Sequence, residues 1–256
     1  MASPQMVDRI LNLPRNLQNS MGLLPKDDLY TSVTQRGDAD NFLFELKVLF
    51  SLLDYLTTHG WRCTIANKQM SVIRLPRSPG LKKNFSYFVV EHTKTGQIWQ
   101  IVHGTQIEDQ FGEPRAPDIS LQTENASIQP TYRDIKAIWD AKLRGTDDDL
   151  LDNVISDSEY RSFVWVKDKL RIPWPNSTED VLAGWPPAFE VCALITNGKS
   201  PTENVKVFLS DHASITAQFK DASTPTFPRR MDYHKPPVIK KLSRNVRGRL
   251  TNQPGV

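Results

Sequence analysis

Residues 117–142 read PDISLQTENASIQPTYRDIKAIWDAK, and the spacing of acids and apolar residues in this stretch decides how the rest of the chain is understood. Residues 119–121 and 135–143 have the branched and aromatic content of strands, parted by a polar run that holds Pro130. In a strand, side chains two apart share a face. Ile138, Asp140, Lys142 and Arg144 therefore line one side of the second strand, and Trp139, Ala141 and Leu143 line the other, which can pack on a helix. Asp140 and Lys142 project together about 6.6 Å apart along the chain. Asp118 points away from Ile119 and Leu121, so pairing of the two strands brings Asp118 and Asp140 to one spot. Two carboxylates that close repel, and one tends to hold a proton. A hard divalent cation removes the conflict, because Mg²⁺ prefers oxygen ligands.

Upstream, Phe42, Leu46, Leu49, Leu53 and Leu56 recur at helical spacing, with Asp38 or Asp40 as a cap and Gly60 as the stop. On a helical wheel with Phe42 at zero, Leu49, Leu53 and Leu56 fall within about 40° of it, and Glu45 falls at about 300°, on the border of the inward stripe. A carboxylate there is costly unless it is paired or bound to a metal. Between this helix and Asp118, residues 62–66, 71–75, 85–92 and 97–103 read as strands, with Lys94-Thr95-Gly96 as a hairpin turn. Downstream, a helix is expected from the acids at 147–149 to about Leu170, where Ile172-Pro173 stops it. The run FEVCALIT at 189–196 reads as a strand buried on both faces, and a helix over 202–219 is expected after it. The order is helix, several strands, helix, buried strand, helix: an α/β domain with a mixed sheet.

The residues Pro117-Asp118, Asp140-Ala141-Lys142 and Glu45, in this order, resemble the PD-(D/E)XK nuclease superfamily. The resemblance covers roughly residues 38–220 and implies a restriction-endonuclease-like core, a mixed β-sheet flanked by helices. It implies that Asp118 and Asp140 ligate Mg²⁺, or Mn²⁺, with the Ala141 carbonyl contributing and Glu45 assisting directly or through water. Lys142 would position the attacking water. The implied activity is that of a metal-dependent endonuclease hydrolysing phosphodiester bonds in DNA. A chain of this size without a motor motif fits restriction or anti-invader defence. Cutting both strands calls for a homodimer or a partner-bound complex. The alternative is a non-catalytic nucleic-acid-binding or assembly protein with the same fold.

Composition bounds these readings. The 256 residues carry a net charge of +3 and are 39% hydrophobic, enough apolar content to build a core and too much for a disordered chain. From Thr226 to the end there are eight Lys/Arg against Asp232 alone, which leaves the first 225 residues at about −4 (24 basic, 28 acidic). The chain therefore divides into an arm at 1–37, the α/β domain at 38–225 and a basic tail at 226–256. Lys240, Lys241, Arg244, Arg247 and Arg249 in the tail, with Arg144 and Lys199, are candidates for phosphate contacts. No apolar run is long enough to span a membrane, because residues 42–56 hold Glu45, Lys47 and Asp54. Residues 1–15 lack a signal-like apolar stretch. Cys63 and Cys192, without a CxxC, fit a reducing cytoplasm.

Competing constellations are weaker. Residues 193–200 end in Gly198-Lys199-Ser200 like a phosphate-binding loop, but Ala193 stands where that loop needs its first glycine. An NTPase would bind nucleotide in a manner lost with Lys199→Ala. The five histidines form no HxH or HExxH pair for zinc. Trp139, Trp165, Trp174 and Trp185 read as core or loop anchors rather than base-stacking platforms, and Arg144, Lys167 and Lys169 as a solvated face, with a phosphate track as the alternative.

Overall fold

The structure, a computed structural model, describes residues 40–67, 73–143, 155–172, 192–196, 203–211 and 214–218. Helix α1 (Asp40–Thr58) has the leucine spacing expected of it, and Leu46, Leu49, Leu53 and Leu56 are fully buried. Phe44, Val48, Phe50 and Leu52 are buried as well, so the helix is covered over more of its circumference than one stripe. It ends where the Thr57 and Thr58 hydroxyls fold back onto the Asp54 and Tyr55 carbonyls and Gly60 takes a φ of +86°.

The strands that follow are β1 (Trp61–Ala66), β2 (Tyr87–His92), β3 (Ile98–His103), β4 (Ile107–Glu108), β5 (Pro114–Arg115), β6 (Ile119–Thr123) and β7 (Ile135–Lys142). Helix α2 (Asp157–Lys169), β8 (Cys192–Thr196), α3 (Glu203–Asp211) and β9 (Ser214–Gln218) complete the described chain. Among the described residues, seven strands form one mixed sheet in the order β1-β2-β3-β6-β7-β8-β9. Neighbours from β1 to β7 are antiparallel, and β8 and β9 are added in parallel. Parallel neighbours need crossovers, and helices lie in both of them. Helix α1 packs on β1 and β7, while α2 and α3 pack on each other and on β8 and β9. Strand β8 is buried at all five positions, in keeping with its apolar sequence.

Three expectations need correction, and one element was not foreseen. Of the expected strand at 71–75, residues 73–75 are described and are not a strand: the Arg74 backbone goes to Ser86, whose N–H donates to the Arg74 carbonyl (2.8 Å) and whose Oγ accepts the Arg74 N–H (3.0 Å). Helix α2 starts at Asp157, since Glu159 reaches back to accept the Ser156 N–H (3.1 Å) in a capping box and residues 155 and 156 are not helical. The expected helix over 202–219 stops at Asp211, and Ser214–Gln218 instead extends the sheet beside β8. The short pair β4–β5, which the sequence did not announce, forms a separate two-stranded ribbon just ahead of Asp118. The arm, the tail, and the expected helix start at 147–149 lie outside the described residues.

Candidate functional site

The antiparallel register of β6 and β7 pairs Ile119 with Trp139, which sets Asp118 opposite Asp140 at the end of the sheet. The two acids lock to each other through the backbone. The Asp118 N–H donates to Asp140 Oδ1 (3.2 Å), and the Ala141 N–H donates to Asp118 Oδ2 (2.7 Å). Lys142 Nζ lies 3.5 Å from Asp118 Oδ2 and 4.0 Å from Asp140 Oδ2. All three side chains are partly buried, whereas Ile138 on the same face of β7 is fully buried. The polar centre therefore begins where the apolar cover of the strand ends.

Asp118 is held in place from the other side by the turn after β3. Gly104, with a φ of +54°, donates its N–H to the Asp118 carbonyl (2.8 Å), and a Cβ at Gly104 would come 3.0 Å from Pro76 Cγ. Glu45 arrives from α1. Its carboxylate is mostly buried, and Oε2 lies 3.3 Å from His103 Nε2. Its charge is felt by Asp118, Asp140 and Lys142.

The electrostatics follow from this crowding. Burial first, then the neighbouring Asp140 and Glu45, push the Asp118 carboxyl well above the usual carboxylate range against the pull of Lys142 and the Ala141 N–H. Asp140 is raised too, by burial and by Glu45, despite Lys142 and the Asp118 N–H. Burial alone would lower the Lys142 ammonium, but Asp140, Asp118 and Glu45 outweigh it and hold it above its ordinary value. Among the described residues, three acids thus share one ammonium.

Asp118, Asp140 and Lys142 come together, with Ala141 between the latter two and Glu45 at the rim. Among the described residues, no group of three His, Cys, Asp or Glu side chains is already arranged to hold a metal ion. Asp118 Oδ2 and Asp140 Oδ1 accept from backbone N–H groups, and Glu45 Oε2 lies against His103. Asp118 Oδ1 and Asp140 Oδ2 are the oxygens left over from those backbone bonds. Arg144, Lys199, Lys240, Lys241, Arg244, Arg247 and Arg249 lie outside the described residues.

Two residues were misjudged from sequence and one was missed. Trp139 is buried, as expected of an anchor, but Trp165 stands half exposed on α2. Lys167 is buried rather than solvated. His103 was missed although alternation could have found it, because Trp99, Ile101 and His103 occupy the inward face of β3. Neither of its ring nitrogens makes a hydrogen bond among the described residues, and its ring meets Phe42 edge-on. Trp174 and Trp185 lie outside the described residues. Comparison with protein families, with curated proteins and with solved structures finds no match to this chain.

Proposed function

We propose that the chain is a metal-dependent nuclease of the PD-(D/E)XK type that hydrolyses phosphodiester bonds in DNA. The observation that carries the reading is the antiparallel pairing that sets Asp118 against Asp140, with Lys142 on both carboxylates and Glu45 within electrostatic reach. Sequence spacing alone allows such acids to lie anywhere; here they share one end of the sheet.

The donor set fits Mg²⁺ or Mn²⁺. All the candidate ligands are hard oxygens: the carboxylates of Asp118 and Asp140, the Ala141 carbonyl, and Glu45 directly or through water. Mg²⁺ keeps several waters and uses one or two carboxylates, so it does not require three protein side chains. A bound ion supplies Lewis acidity and lowers the pKa of a coordinated water. Lys142, between the two acids, would orient the attacking water or offset charge growing on a phosphoryl oxygen. Asp118 and Asp140 would hold their positions through the N–H bonds that already fix them.

The second reading is a nucleic-acid-binding or assembly protein that does not hydrolyse. It draws on the ion pairs of Lys142, which partly neutralise the acids without a metal. Plasmid incubated with Mg²⁺ or Mn²⁺ separates the two readings. The nuclease cuts, and Asp140→Ala and Lys142→Ala abolish cutting while retaining the wild-type circular dichroism spectrum. Absence of cutting by the wild type with either metal favours the binder. Each chain has one such centre among its described residues, so cutting both strands would take two copies or two encounters.

A further inference from the structure

Helix α2 and the turn between β4 and β5 meet in a cluster that the acid centre does not use. Phe111, on the turn, is 66% exposed, and Trp165, on α2, is 48% exposed. Isolated apolar residues in water need no explanation, but these two rings are joined by cations. Lys169 Nζ lies 4.4 Å from the Phe111 ring centre and 5.5 Å from that of Trp165, and the Arg115 guanidinium lies 4.5 Å over Trp165.

The cluster is built rather than accidental. Buried Asp109 accepts the N–H groups of Phe111 (2.8 Å) and Glu113 (3.1 Å) and pairs with Arg115 through Nε (2.9 Å) and a terminal nitrogen (2.9 Å). Those bonds outweigh the burial that opposes its charge and hold its carboxyl below the ordinary value. The Gln110 side chain accepts from Arg171, and the Gln110 N–H donates to the Lys169 carbonyl (3.4 Å), which ties the turn to the end of α2. Lys169 and Arg171 supply two positive charges that Asp109 does not take up. Asp109 is taken up by Arg115, and Glu113 is an exposed acid on the same turn.

Solvent-facing rings interleaved with Arg and Lys form a surface on which unpaired bases stack while their phosphates meet cations. We propose that this cluster binds single-stranded nucleic acid, with bases on Phe111 and Trp165 and phosphates on Lys169 and Arg171. A duplex keeps its base faces inside the stack and offers none to these rings. Arg115 precedes Asp118 by three residues, so the Cα atoms of these two residues lie at most about 11 Å apart and the cluster adjoins the acid centre through this link. A strand held here reaches that centre within a few nucleotides. The assignment deepens the nuclease reading by naming its substrate class, and it rests on that reading only for the meaning of this adjacency.

The test is binding in EDTA, where hydrolysis plays no part. A labelled oligothymidylate of about fifteen nucleotides is compared with a duplex of equal length, using the full chain. The oligothymidylate is expected to bind and to quench tryptophan fluorescence. Phe111→Ala and Trp165→Ala should each weaken it about tenfold and leave duplex binding unchanged. Lys169→Ala should reduce the slope of log affinity against log salt by about 0.7. Both rings are exposed, so unchanged thermal melting checks that the variants fold. Wild-type affinity in the two ring variants, or equal loss for single strand and duplex, overturns the proposal. So does displacement of the oligothymidylate by an equal charge concentration of polyglutamate. Cleavage that fails while this binding succeeds counts against the nuclease reading and leaves the base platform standing.

Discussion

Asp140 stands where the centre's charges conflict: it accepts the Asp118 N–H, faces the Asp118 carboxylate, and shares one ammonium with it. Asn keeps an acceptor oxygen there and removes a charge that burial disfavours. Asp140→Asn should therefore raise the stability of the EDTA-treated protein by about 1 kcal/mol while abolishing metal-dependent cutting. Thermal melting reads the first effect, and a melting point below wild type contradicts it. A second buried charge lies away from this centre. Lys82 Nζ donates to the side-chain oxygens of Gln100 and Gln122 and to the Ala126 and Ser127 carbonyls, all of them neutral acceptors. Burial lowers its ammonium from 10.5 to about 8 against the weaker pull of Asp134. Between those values the folded protein has released a proton that the unfolded chain still holds, so this group adds stability as pH rises. Urea unfolding at about pH 7 and about pH 9.5 should show wild type gaining on Lys82→Met at the higher pH; an unchanged gap argues against the shift. Asp118, Asp140 and Glu45 were readable from spacing because parity and helical phase are local properties. His103 and Lys82 were not singled out, since each matters only through what the folded sheet lays beside it.

The turn between β3 and β4 shows how an element can govern a site without contributing a reactive group to it. Gly104 sits in the left-handed region, its N–H holds the Asp118 carbonyl, and Pro76 crowds its open side. Ala at this position meets both backbone strain and Pro76, and should cost about 1–2 kcal/mol of stability. Because the turn holds the Asp118 carbonyl, cutting should fall further than DNA affinity does. Equal losses of both would place the effect on folding alone. Helix α1, the β2–β3 hairpin and β7 were readable because their periodicities are long or bounded by clear turn residues. Strand β9 was not: Ser214–Gln218 reads equally well as the continuation of a helix, and only the open edge of β8 draws it into the sheet. The β4–β5 ribbon escaped notice for a related reason. Two-residue strands carry no period, and this pair is organised by the Asp109 carboxylate.

At the level of the entire molecule, an antiparallel half and a parallel half share β7, and the acid centre lies at the end of that shared strand. No described helix is long and apolar enough to cross a membrane. The charge imbalance along the chain has a consequence of its own. Removing residues 226–256 takes away eight basic side chains, so DNA affinity should fall and its dependence on salt should flatten. An unchanged salt slope in the truncated protein would show that the tail does not touch phosphate. The two cysteines offer a different handle on the same molecule. Cys63 lies on the edge strand β1 and Cys192 on interior β8, both fully buried, with burial raising their thiols to about 12 and about 11. Iodoacetamide reaches such groups only when the surrounding structure opens, so alkylation becomes a clock for local unfolding. Cys63, with one neighbouring strand to shed among the described residues, should tick first; Cys192 should wait for the heart of the sheet to part.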